Sequence, residues 1–149
     1  MLRRFLASAV LGVLALPAVA QSFTPDTAGV RAAVLDYLEG FYQGDTTRFV
    51  RSIRPDVFKY GYWRRQNSAG YEGGQMTWRE MHESANGVRE ENEPLPANAP
   101  REIVLLDVLD QTAAAKLTAL WGIDYLLLAR ENGRWMITHV LWQSPPQRR

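Results

Sequence analysis

The chain has no cysteine, which removes disulfides, thiolate nucleophiles and thiolate metal sites together. Histidine is scarce as well, with His82 and His139 the only two. A catalytic metal needs three protein ligands and an open position, and the acidic group Glu90, Glu91 and Glu93 falls in a loop, so neither metal nor cofactor is expected. No charge of one sign dominates: 17 Lys and Arg stand against 16 Asp and Glu, and without Arg3 and Arg4 the count becomes 15 against 16. A nucleic-acid binder displaces counterions with a concentrated basic face. Only Arg64-Arg65 and Arg148-Arg149 cluster here, so no nucleic-acid partner is expected. Gly61, Gly70, Gly73 and Gly74 are not followed by Gly-Lys-Ser/Thr, which excludes a phosphate loop. Nor does any apolar run reach the roughly 20 residues of a membrane span. The run Phe5 to Leu16 follows Arg3-Arg4 and precedes Ala18-Val19-Ala20, the pattern of a secretory signal peptide over 1–20 with a mature start at Gln21. The protein is therefore expected to be periplasmic or secreted, with no membrane anchor after processing and a single domain over 21–149.

What the chain does have is a strand-rich C-terminal third. Asn132-Gly133 between two apolar runs is the strongest short-range hairpin signal, because both turn residues take φ > 0. A two-residue loop there pairs Glu131 with Arg134, Leu128 with Ile137, Leu126 with His139 and Asp124 with Leu141. One face then carries Asp124, Leu126, Leu128, Trp135, Ile137, His139 and Leu141. The other carries Ile123, Tyr125, Leu127, Ala129, Met136, Val140 and Trp142. Both faces are apolar, so each needs a cover. Upstream, Arg101 to Leu109 pairs with Thr112 to Trp121 through Asp110-Gln111. This sets Val104, Leu106 and Val108 beside Ala113, Ala115, Leu117 and Ala119, and a tight turn at Gly122-Ile123 brings that row onto the side of Asp124. The alanines leave room either for the first helix or for a cavity.

Earlier in the chain, Val30, Ala33, Val34, Tyr37, Leu38, Phe41 and Tyr42 form the stripe of an amphipathic helix, capped near Thr24 to Thr27 and ended by Gly44. A shorter helix starts at Thr46 or Thr47 and stops at Pro55. Val57 to Arg65 and Tyr71 to Gln75 read as a hairpin around Asn67 to Gly70. Thr77 with Glu80 forms a capping box for a third helix carrying Trp78, Met81, His82 and Ala85 and ending at Asn86-Gly87. Residues 88–100 read as a loop, either a stiffened connector or a lid.

This order is α+β, with helices gathered on one face of a bent sheet. The chain also resembles the nuclear transport factor 2-like superfamily, and within it the bacterial family labelled "putative lumazine-binding". The resemblance rests on Gly44-Asp45, Pro55-Asp56, Met76-Thr77, Leu106 to Leu109, Ala113 to Lys116, Gly122 to Leu126, Gly133 to Trp135 and Val140 to Trp142. It implies a cone-shaped curved antiparallel sheet, a cystatin-like α+β roll, with a cavity closed by three helices and a homodimer formed through the convex sheet face. It names no chemistry.

On the register above, Asp124 and His139 sit diagonally on adjacent strands, at a Cβ separation of about 7 Å or less. Together they would make a general acid/base pair. Asp124 has a structural alternative, accepting backbone N–H groups at the Gly122 turn. Tyr60, Tyr62, Trp78, His82, Trp121, Leu126 and Ile137 are the expected pocket lining. The leading expectation is an exported, homodimeric protein binding a small apolar or aromatic ligand. The alternatives are a cofactor-independent lyase or isomerase using His139 with Asp124, and a non-catalytic envelope interaction module. Tyr125, Leu127, Val140 and Trp142 are expected between subunits.

Overall fold

The computed structural model describes residues 23–65, 70–91 and 95–146. The leader with Gln21, Asn67 of the expected first hairpin turn, Glu93 and Arg148-Arg149 lie outside them. Nine elements follow in order: α1 (Thr27–Gln43), α2 (Thr46–Ser52), β1 (Ile53–Trp63), β2 (Glu72–Met76), α3 (Trp78–Glu91), β3 (Glu102–Val108), β4 (Thr112–Ala119), β5 (Gly122–Glu131) and β6 (Arg134–Gln143). The strands form one sheet ordered β2-β1-β6-β5-β4-β3. It is mixed: β1 runs parallel to β6, whereas every other neighbouring pair is antiparallel.

The expected helical stripe is the buried face of α1, with Val30, Ala33, Val34, Tyr37, Leu38, Phe41 and Tyr42 all in the core. Asp26 caps α1 by accepting the Gly29 N–H at 2.9 Å. Asp45, rather than Thr46 or Thr47, caps α2, since its carboxylate accepts the Thr47 N–H at 3.1 Å. Pro55 does not end that helix but lies inside β1, where the pairing with β6 is irregular between Ile53 and Phe58. The capping box of α3 is formed, with Glu80 accepting from the Thr77 N–H at 2.7 Å. That helix continues past Asn86-Gly87 to Glu91, which shortens the expected loop.

The Asn132-Gly133 turn has φ of 50° and 78°, and the first four pairs beyond it follow the expected register. Then the register slips. Leu128 pairs with Ile137 but Leu127 pairs with His139, leaving Thr138 as the extra residue of a β-bulge, its Oγ1 donating to the Leu127 carbonyl at 3.1 Å. A bulge inverts the side-chain parity of everything beyond it. Val140 and Trp142 therefore turn inward, whereas His139 and Leu141 turn outward. The same happens in β3, where Leu105 and Asp107 pair with consecutive alanines and Leu106 is the extra residue. Val104 and Leu106 are accordingly exposed, against expectation, and Ile103 and Leu105 pack on the core. The β4–β5 turn is Leu120-Trp121, because Ala119 pairs with Gly122. Asp124 keeps its inward parity.

Ala113, Ala115 and Ala119 of β4 are buried in the same core cluster as the α1 stripe. Their small size thus admits the helix, and the cavity lies further toward β1. There Gly61 decides what fits. A Cβ on Gly61 would stand 1.7 Å from Trp142 Nε1, so the indole crosses this strand only because the side chain is missing. Gly87 in α3 is the opposite case, with nothing within 4 Å of where its Cβ would be. Gly61→Ala should lose about 1–3 kcal/mol through overpacking, and Gly87→Ala should gain up to about 1 kcal/mol of helix propensity. Urea denaturation checks both, and a neutral Gly61→Ala would contradict the Trp142 packing.

Candidate functional site

Three elements each send one polar side chain into the same apolar interior. Tyr37 comes from the buried stripe of α1, Lys59 from the inward parity of β1 shared with Val57 and Gly61, and Asp124 from β5 opposite Leu117 of β4. Their exposures are 0% for Tyr37, 4% for Lys59 and 0% for Asp124. Groups of this kind are tolerated inside only when they satisfy one another. Lys59 Nζ donates to Tyr37 Oη at 2.8 Å, and the Tyr37 hydroxyl donates to Asp124 Oδ1 at 3.5 Å. The Trp121 indole N–H donates to Asp124 Oδ2 at 2.6 Å. The ammonium also lies 4.7 Å from the centroid of the Phe41 ring and 5.2 Å from that of Tyr37, within cation–π range.

Burial shapes the protonation of all three. It lowers the Lys59 pKa to about 8, with the negative charge of Asp124 opposing the change. Burial raises the Asp124 carboxyl above its ordinary value, against the Lys59 charge and the hydrogen bonds from Trp121 and Tyr37. Burial, then the adjacent Asp124, pushes the Tyr37 phenol well above the usual tyrosine value.

Against this chain of hydrogen bonds lies a cavity of about 150 Å³, lined by Phe41, Lys59, Met76, Ser84, Trp121 and Trp142. Trp121 packs on Phe41 at 5.3 Å and on Tyr42 at 5.4 Å between ring centroids, and Trp142 stacks on Trp63 at 6.4 Å. The walls are thus aromatic and held from behind.

Asp124 and His139 do not meet. The bulge at Thr138 turns His139 to the exposed face of the sheet, where its Nδ1 contacts Thr138 Oγ1 at 3.0 Å and its ring lies 6.3 Å from Phe58. The acid/base pair read from the sequence is therefore not formed, and the lyase or isomerase reading that rested on it loses its geometry. Tyr60 and Tyr62 have the outward parity of β1 and pack on each other at 5.4 Å. Trp78 and His82 contact each other at 4.5 Å and both approach Phe49. They brace α3 rather than line the cavity, and His82 Nε2 is buried without a hydrogen-bond partner among the described residues. Leu126 and Ile137 are core residues at 1% and 0% exposure, away from the cavity wall. Of the expected lining, Trp121 alone is in that wall. Lys59 went unnoticed in the sequence, although a charged residue on the same strand parity as Val57 was a signal for it.

The family described as "Putative lumazine-binding" matches residues 25–143. The chain belongs to that family. Solved structures with the same fold include a nuclear transport factor 2-like protein of unknown function from Methylobacillus flagellatus, with 17% identity, a TM-score of 0.60, and coverage of 81% of this chain and 93% of that one. Another, of the same description, comes from Silicibacter pomeroyi, with 16% identity, a TM-score of 0.59, and coverage of 78% and 93%. A ketosteroid isomerase-like protein from Erwinia carotovora atroseptica aligns at 18% identity and a TM-score of 0.53, covering 84% and 100%. No curated protein matches the chain. At such identities the likeness is one of fold, nuclear transport factor 2-like and cystatin-like. In this member of the family, Lys59, Tyr37, Asp124 and Ser84 place polar groups at or behind the cavity, beside the Trp121 indole N–H.

The buried amine has a defined pH signature. Between about pH 8 and the ordinary lysine value of 10.5, the unfolded chain holds the Lys59 proton more tightly than the folded one. Lys59 therefore adds stability as pH rises through that window, and this contribution is lost as pH falls through about 8. Asp124→Asn removes the charge that retains the proton and should lower the Lys59 titration midpoint below about 8. The pH dependence of amine acylation at Lys59, read by peptide mass spectrometry, measures it. An unchanged midpoint would mean that Asp124 is not the counter-charge.

Proposed function

We propose that this protein is an exported small-molecule-binding protein whose ligand is an uncharged, compact aromatic or apolar compound carrying one hydrogen-bond acceptor. The observation that carries this reading is the cavity of about 150 Å³ with walls of Phe41, Met76, Trp121 and Trp142 and Lys59 in its lining. A volume of this order takes up benzene-sized guests, below the ~300 Å³ lower end of drug-sized pockets. Aromatic walls with few polar anchors are the usual composition of a ligand site. An uncharged guest is favoured because the positive charge of Lys59 is already balanced by Asp124, and a ligand carboxylate would bring an uncompensated second negative charge into the interior. Membership of the lumazine-binding family supports ligand binding as the role without supplying the ligand. Export is supported by Arg3-Arg4, the apolar run and Ala18-Val19-Ala20 in the sequence.

Native mass spectrometry of protein recovered from the envelope fraction of its source is the first test, with a chain beginning at Gln21 and a retained small molecule as the expected result. Benzyl alcohol then serves as a probe. Near-saturation, at about a hundred times its dissociation constant, should raise stability by about 2.7 kcal/mol. Ser84→Trp, which sets a bulky group at the exposed rim, should remove the effect. Equal stabilisation of both proteins would move the binding elsewhere.

We further propose a homodimer through the convex sheet face, supported by a different observation. Phe58, Tyr62, Tyr125, Leu127 and Leu141 are 48%, 43%, 51%, 51% and 51% exposed and all have outward parity, which makes an apolar patch of the kind that marks an interaction surface. Tyr125 and Leu127 belong to it as read from the sequence, whereas Val140 and Trp142 face the interior and Leu141 takes their role. Sizing at micromolar concentration should give a dimer that Leu127→Glu with Leu141→Glu converts to a monomer. A wild-type monomer would end the proposal.

A further inference from the structure

We propose that Lys59 is a carbonyl-capturing amine, whose Nζ forms an imine with an aldehyde or ketone seated in the cavity while Tyr37 and Asp124 carry the protons. The inference rests on the pocket reading above and gives its ligand a chemical class.

Three observations carry it. The first is position. Lys59 is in the cavity wall, and among the described residues its ammonium has one hydrogen-bond acceptor, Tyr37 Oη at 2.8 Å. An ammonium has three donors, so capacity remains for a carbonyl oxygen, the neutral acceptor that the charge balance favours. The second is a continuous path for the proton. Lys59 donates to Tyr37 and Tyr37 donates to Asp124. One proton can pass from nitrogen to the phenol oxygen as the phenol proton passes to the carboxylate, leaving a neutral amine and a neutral acid with no exchange with bulk water. Burial favours that uncharged arrangement, and the directions of the Lys59 and Asp124 shifts agree with it. The third is composition. Lys59 and Lys116 are the only lysines, every other Lys or Arg position being arginine, whose guanidinium does not deprotonate in proteins.

The step balances without oxidant or reductant. The nitrogen lone pair attacks the carbonyl carbon, a C–N bond forms, and the carbonyl π pair moves onto oxygen. The nitrogen gives up two protons, the oxygen takes two, and the C–O bond breaks to release water. Asp124 returns its proton through Tyr37 to the departing hydroxyl. With a pKa of about 8, roughly a tenth of Lys59 is neutral at pH 7, against less than about a thousandth of an ordinary lysine. The bland alternative is that Lys59 serves only as the counter-charge of Asp124.

Benzaldehyde with sodium cyanoborohydride, which reduces an imine to a stable secondary amine, distinguishes the two on the intact protein. Lys116, half-buried on the sheet, is the internal reference. Peptide mass spectrometry should find Lys59 benzylated about tenfold or more faster than Lys116 near pH 7, as a cavity that seats the aldehyde against the amine requires. Excess benzyl alcohol, which fits the cavity but has no carbonyl, should suppress the reaction. Tyr37→Phe cuts the proton path that serves both deprotonation of the amine and departure of the hydroxyl, and should slow capture about tenfold or more near pH 7 while leaving the stabilisation by benzyl alcohol unchanged. Modification of Lys116 or the N-terminal amine with Lys59 untouched would overturn the proposal. If benzyl alcohol still binds in that case, the pocket reading survives and imine capture alone fails. If benzyl alcohol does not bind either, both fail.

Discussion

A lysine and an aspartate enclosed in one apolar hollow constrain the rest of the structure. Neither is tolerable there alone, because moving a charge out of water costs several kcal/mol even after relaxation. They are tolerable together because α1, β1 and β5 bring Tyr37, Lys59 and Asp124 to one point, with the Trp121 indole closing the carboxylate's remaining side. Replacing such a group by apolar side chains of similar volume is often neutral or stabilising. A core that needed only cohesion would have little reason to carry it.

Sequence patterning was most informative where a single period governed a segment. The α1 stripe has one period and one buried face, so Tyr37 and Phe41 could be assigned to the interior from spacing alone. The Asn132-Gly133 turn follows from the φ > 0 demand of its two residues. Patterning failed at Thr138 and Leu106 for one reason: in β6 and β3 both parities are apolar, so nothing in the order of residues marks where an extra one is inserted. The cost was confined but decisive, exchanging His139 and Leu141 for Val140 and Trp142 and so replacing one candidate site by another. The cavity wall was mostly illegible because it is assembled from α1, β1, β2, α3, the β4–β5 turn and β6, and no local rule reports on six segments at once.

The same inversion sorts the two surfaces of the sheet. Inward beyond the bulge come Val140 and Trp142, which finish the core and the cavity. Outward come His139 and Leu141, which join Phe58, Tyr125 and Leu127. A strand with unbroken alternation would have set an imidazole against the buried carboxylate and an indole in solvent. One inserted threonine, stabilised by its own hydroxyl on the neighbouring strand, thus keeps the interior aromatic and makes the lysine its cation.

Tyr42 ties three segments of the chain together. Its hydroxyl donates to the Pro100 carbonyl at 2.6 Å and accepts the Leu120 N–H at 2.9 Å, so one oxygen anchors the approach to β3 and the β4–β5 turn to α1. Trp121 follows Leu120 directly and inherits that rigidity. The opposite rim, where Ser84 of α3 and Met76 of β2 stand, has no such rivet among the described residues. The two rims of the hollow thus differ in kind, one tied to α1 through the Tyr42 hydroxyl and the other held by the aromatic contacts of Trp78 and His82 with Phe49.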